Sequence, residues 1–251
     1  MSKLELKGVY AYKTDVGKIR ISNEDQASAS FSPYKEALLV VCDGMGGANK
    51  GDYASKTAID SLMDDFRSKR KMLPFLAKRW LSRALRKANS IIYSESESNP
   101  SYAGMGTTTV AVMLFGDKMV VANVGDSRAY AYDGFNLRRL TEDQTVGDYL
   151  VRVNKMSEKE VASSPERHVL TNALGVYPSC ASDIRIYPYF GETILLCSDG
   201  LYNNLSEASI RATLSTDERP DEKVASLIAE ANSNGGSDNI GIVLWEASKR
   251  D

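Results

Sequence analysis

Four aspartates sit at the ends of the chain's most apolar segments. Asp43 follows ALLVVC, Asp126 follows MVVANVG, Asp199 follows TILLCS, and Asp238 immediately precedes NIGIVLW. Each segment is short and rich in apolar or β-branched residues, so each carboxylate is expected where a core strand ends. A lone carboxylate bordering a low-dielectric interior is protonated, paired or bound to a cation. For any one of them a simple turn is the favoured reading, because Asp-Gly follows a strand at Asp43-Gly44 and at Asp199-Gly200 and Asp is a common turn former. Taken together, and flanked by Gly44, Gly46, Gly47, Gly125, Gly200, Gly235 and Gly236, they point to a cation, since glycines let backbone carbonyls approach an ion.

The rest of the sequence limits which cation. There is one histidine, His168, and the three cysteines, Cys42, Cys180 and Cys197, are odd in number without CxxC spacing. That excludes a disulfide framework and an ordinary zinc site, and the cysteines read as small core residues. Ligands drawn from carboxylate, carbonyl and water suit Mg²⁺ or Mn²⁺. Two such ions about 3.5 to 4 Å apart can share a water, acidify it and present it for in-line attack at phosphorus. A phosphate also needs a planar cationic clamp, and Arg20, in GKIRISNED, has the right chemistry. A surface pairing of Arg20 with Glu24 is the competing reading.

Strand-like runs occupy residues 37–41, 107–115, 119–124, 193–197 and 239–246, and Asp133-Gly134 lies between two alternating segments as a hairpin signal. Two helical patterns fall between residues 52 and 98, with Ala54, Ala58, Ile59, Leu62, Met63 and Phe66 on one stripe and Trp80, Leu81, Ala84, Leu85, Ala88, Ile91 and Ile92 on the other. A second helical group opens at Ser206 and again at Pro220-Asp221. Helices collected into two groups around a strand-rich middle favour antiparallel sheets covered by helices, an α+β fold. No repeat and no composition break divides the chain, so one domain over 1–251 is expected, with polar loops at 94–100 and 232–237.

The 31 basic and 33 acidic residues are interspersed, for a formal net charge of −2, and no basic stripe tracks a nucleic-acid backbone. No apolar run approaches the roughly 18 residues a membrane span needs, and MSKLELKGVYAYK lacks a secretory core. The expectation is a cytoplasmic protein with neither nucleic-acid nor membrane partners.

RISNED (20–25), VVCDGMGG (40–47), GMGTTTV (104–110), NVGDSRAY (123–130), HVLTNALG (168–175), LLCSDGLYN (195–203) and GGSDNI (235–240) together resemble the type 2C (PPM) metal-dependent serine/threonine protein phosphatases, particularly the compact bacterial ones. The resemblance spans nearly the whole chain. It implies a four-layer αββα sandwich, two antiparallel sheets flanked by helices. It implies that Asp43 bridges two Mn²⁺ or Mg²⁺ ions, that the Gly44 carbonyl ligates one and that Asp199 and Asp238 complete the other. Asp25 would act through bound waters, Asp126 with Asp199 would hold a weaker third ion, and Arg20 would bind the substrate phosphate.

The same resemblance implies phosphorylated protein substrates, a cognate Ser/Thr kinase to oppose and a monomeric enzyme, with residues 144–167 as the family's flap. Ser127 and Arg128 read as structural, and Asn239 as a support for Asp238. Two departures matter. Met45 stands where animal members place a histidine, and Gln144 stands where the family often has another, so no proton donor is assigned to either position; a water held near Asp126 is the alternative. His168 reads as a hydrogen-bonded structural group. Two rival functions remain at this level, a catalytically dead binding module and a hydrolase of small phosphate esters; no GxxxxGK[ST] loop supports nucleotide binding.

Overall fold

The computed structural model of the chain describes residues 6–46 and 50–248; Gly47 lies outside them. Its central strands read as unbroken apolar runs because both faces of each are covered. In β3 (Ala37–Met45) side chains alternate between two cores. Leu38, Val40 and Cys42 face the helices α1 (Gly51–Ser68) and α2 (Pro74–Ser98), while Leu39 and Val41 face the second sheet.

One sheet has five strands in the order β1 (Gly8–Asp15), β11 (Ile240–Ala247), β10 (Thr193–Cys197), β7 (Arg128–Tyr132) and β8 (Leu137–Arg139). The other has six: β2 (Asp25–Phe31), β3, β5 (Thr109–Phe115), β6 (Lys118–Val124) and β9 (Asp183–Pro188), with β4 (Gly106–Thr107) on the end of β3. Every pairing is antiparallel. Val112, Leu196, Val243 and Trp245 fill the space between the sheets, and Trp245 donates its indole N–H to the Tyr189 hydroxyl at 2.7 Å. On the far side, Leu195, Ile242 and Leu244 pack against α6 (Glu207–Leu214) and α7 (Pro220–Ser233). The architecture is the αββα sandwich expected. No helix of the described residues is long and apolar enough to cross a membrane.

The helix starts follow their local chemistry: the Ser206 hydroxyl accepts the Ser209 N–H, and Pro220 opens α7. The hairpin forms around Asp133, but with a four-residue loop, 133–136, in which Asp133 Oδ1 accepts the N–H groups of Phe135 and Asn136. The expected strand over 107–115 breaks at Thr108, which leaves the ladder to bind Asp43. Half of the stretch expected as a flap loop is helical, as α3 (Val146–Arg152), capped by Thr145, and α4 (Glu158–Ala162), opened by a Ser157–Glu160 capping box; α5 (Asp199–Tyr202) is a single turn. Cys42 and Cys197 are buried as expected, whereas Cys180 is half-exposed beside α2.

Candidate metal centre

The antiparallel register of β2 and β3 sets Asp25 directly opposite Asp43, so the two side chains leave adjacent strands on the same face of the sheet. Asp43 is locked through its backbone: its N–H donates to Thr108 Oγ1 at 3.0 Å, and its carbonyl accepts the Thr108 N–H at 2.8 Å. Asp25 is fully buried behind it, and its Oδ2 takes the Ser198 hydroxyl at 2.6 Å. Ser198 in turn accepts the Gly241 N–H.

The remaining acids come from the other sheet and from the crossover between sheets. Asp199 begins the turn after β10, and Asp238 precedes β11. Asp126 lies where the chain leaves β6 and enters β7 in the opposite sheet, after Gly125, whose φ of +97° few other residues adopt. All three meet Asp43, Gly44 and Arg20 around a cleft of about 820 Å³. Arg20 lies on its rim with Nη2 2.7 Å from Asp238 Oδ2, so the pairing is with Asp238. The other Asp238 oxygen accepts the Asn239 N–H at 2.8 Å.

Asn239 does more than support its neighbour. Its side chain donates to the carbonyls of Val16 and Ser22, each at 2.9 Å, and accepts the Glu24 N–H at 2.8 Å, which fastens the loop carrying Arg20. Gly44 is required by contact with backbone: a Cβ there would collide with the Gly51 carbonyl and crowd that of Glu24. Thr108, Ser198 and Glu24 belong to this neighbourhood without having been singled out as site residues. The TTT run of GMGTTTV was the one available signal for Thr108.

Crowded carboxylates removed from water lose acidity. Burial raises Asp43 well above the usual range, and the charges of Asp25 and Asp199 add to it. Asp25 is pushed up by burial despite the Ser198 hydrogen bond. Burial, with the charges of Asp199 and Asp143, raises Asp126 to about 7; burial and Asp238 raise Asp199 to about 6. Such a cluster holds a standing demand for positive charge.

Asp25 Oδ1 and Asp199 Oδ1 are buried with no hydrogen-bond partner. Among the described residues no three His, Cys, Asp or Glu side chains converge tightly enough to hold an ion by themselves, so backbone carbonyl and water must complete any coordination shell. The all-oxygen donor set and the two unpartnered oxygens fit hard divalent cations. The lone histidine is exposed on the cleft wall, where His168 Nε2 accepts the Arg167 Nε–H at 2.9 Å. Burial, reinforced by Arg167 and Arg128, lowers its basicity. Gln144 is structural, accepting the Gly125 N–H at 3.0 Å and the Asn172 amide at 2.7 Å. Arg128 grips Asp143 with two nitrogens and lies 3.5 Å over the Tyr202 ring, whose hydroxyl donates to the Asp126 carbonyl at 3.2 Å.

An αββα sandwich with an acidic, arginine-rimmed cleft between its sheets has the make-up of a metal-dependent phosphoester hydrolase. The family profile described as protein phosphatase 2C matches residues 19–230, and the chain belongs to that family, among the bacterial serine/threonine protein phosphatases, which are hydrolases. It is 36% identical over 237 residues to the serine/threonine phosphatase stp of Listeria innocua, covering 94% of each chain. Over 253 residues it is 33% identical to the serine/threonine protein phosphatase PstP of Mycobacterium tuberculosis, spanning 100% of this chain and 47% of that protein. Among solved structures it superposes on Stp1 from Staphylococcus aureus with a TM-score of 0.91 at 29% identity, over 100% and 98% of the two chains. A PstP catalytic domain in complex with two manganese ions gives 0.82 at 31% identity, over 97% and 100%.

Proposed function

We propose that this cleft removes phosphate from phosphoserine and phosphothreonine in proteins, with Asp43, the Gly44 carbonyl, Asp199 and Asp238 holding two divalent cations, Mn²⁺ or Mg²⁺. What carries the reading is the pair of buried, unpartnered oxygens, Asp25 Oδ1 and Asp199 Oδ1, inside a cluster of carboxyls starved of countercharge. When bound, such cations supply an acidified water for in-line attack at phosphorus.

The chain's own groups do the rest. Asp43, fixed by Thr108, would hold both ions, and Asp25 would help to orient water. Asp126 with Asp199 offers a weaker third position. Arg20 clamps the phosphate oxygens, holding the substrate in line, and its pairing with Asp238 keeps the guanidinium at the cleft mouth before substrate arrives. Residues 1–251 form a single catalytic domain with 144–167 as its flap, working as a cytoplasmic monomer opposite a Ser/Thr kinase.

The test is phosphate release from a phosphothreonine peptide with added Mn²⁺, alongside calorimetric titration of Mn²⁺ into chelator-treated protein. Two strong sites and turnover are expected, both abolished in Asp43→Ala, with turnover lost in Asp199→Ala. Manganese uptake without turnover would instead indicate a binding module, and turnover of small esters alone would overturn the protein-substrate assignment.

A further inference from the structure

The acidic cleft has an apolar lip. Ile21 is 101% exposed, Ile19 69% and Val169 51%, and all three line the same cleft as Arg20 and Asp43. Isolated exposed apolar side chains are common on any protein. Here two of them stand on either side of Arg20 in sequence, and the third reaches the same cleft from a distant segment. The loop that displays Ile19 and Ile21 is held fast by Asn239 at Val16 and Ser22 and by the Lys18 N–H donating to the Gly236 carbonyl at 2.8 Å. A fastened loop loses little freedom when a ligand lies against it, so the exposed isoleucines are preorganised for contact.

We propose that Ile19, Ile21 and Val169 form a recognition surface for apolar side chains flanking the phosphorylated residue, so that the enzyme selects phosphosites by their hydrophobic neighbours. This rests on the phosphate position assigned to Arg20 and extends it. A peptide whose phosphate reaches Arg20 must carry its adjacent residues across the lip, because neighbouring Cα atoms are only about 3.8 Å apart. At the lip an apolar neighbour meets isoleucine or valine, whereas a charged neighbour forfeits hydration against the same side chains. Removing one such side chain from water against the lip favours its peptide by about tenfold.

The experiment compares kcat/KM for three phosphothreonine peptides with Mn²⁺ present, identical except that the residues flanking the phosphothreonine are leucine, glycine or glutamate. The wild-type protein should prefer the leucine peptide over the glycine peptide by about tenfold, with the glutamate peptide poorest. In I19S/I21S, and to a smaller degree in Val169→Ser, the leucine-to-glycine ratio should fall towards one. A ratio taken on one preparation does not depend on the fraction of folded protein. Equal rates for the leucine and glycine peptides in the wild type, or an unchanged ratio in I19S/I21S, would overturn the inference while leaving the phosphatase reading intact. Turnover of none of the peptides would sink that reading and this inference with it.

Discussion

The Arg20 guanidinium lies 2.7 Å from the Asp238 carboxylate, 218 residues away in sequence. The contact follows from β1 pairing with β11, which ends with Asp15 opposite Ile240 and delivers the two following and preceding segments to the same edge. Arg20→Ala should therefore act on substrate capture. An arginine's charge-assisted hydrogen bonds to phosphate are worth about 1.5–3 kcal/mol, so KM for a phosphopeptide should rise at least about tenfold while kcat changes less, with Arg20→Lys intermediate. Steady-state kinetics that show kcat collapsing at constant KM would contradict the clamp.

The acidic cluster makes a pH prediction for the metal-free protein. Asp126 at about 7 and Asp199 at about 6 are both raised from 3.8, so the folded state keeps protons that the unfolded chain has already released. Stability contributed by those protons is complete near pH 4 and is lost as pH climbs through 6 and 7. Thermal melting of chelator-treated protein should fall between pH 5 and 8, and saturating Mn²⁺ should flatten the slope by taking the place of the protons. A melting temperature that rises over that interval in the absence of metal would show the carboxylates to be already compensated.

Arg128, a strand-end residue, holds a network through its side chain. Asp143 is only 5% exposed and is gripped by Arg128, with Arg139 farther off at 3.5 Å. Arg128→Ala leaves that carboxylate short of its main partner and should cost about 2 kcal/mol in urea denaturation, the nearby Arg139 sparing part of the usual penalty. Tyr202→Phe, which removes only the hydroxyl on the Asp126 carbonyl, should cost about 1 kcal/mol. Equal losses would mean that the Arg128–Asp143 pair is worth no more than that single hydroxyl.

Asn239→Ala removes three hydrogen bonds to the backbone of residues 16–24 at once. Amide exchange in that loop should accelerate more than about tenfold while the central strands stay protected, and KM should rise because Arg20 is no longer held. Exchange that quickens uniformly over both sheets would make Asn239 a global stabiliser instead.

Much of this was legible because burial forces apolar continuity. The segments ending at Asp43, Asp126 and Asp199 announced themselves as core strands, and their terminal acids marked the cleft. Three strands gave no such signal. β2, DQASASF, is made of small and polar residues and is a strand because β3 pairs along it; β1 and β9 border single neighbours and keep exposed faces. The partner of Arg20 was hidden for the same reason, since local spacing proposed Glu24 and only the pairing of β1 with β11 brings up Asp238. Gly44 was singled out for the freedom it gives a carbonyl, yet what the fold demands of it is the absence of a side chain against Gly51.

Neither sheet owns the acidic centre. Asp25 and Asp43 belong to one, Asp199 and Asp238 to the borders of the other, and Asp126 to the strap between them. A nascent or damaged chain with one layer in place would thus hold only part of the cluster, and the proposed phosphatase would stay silent until β11 is seated.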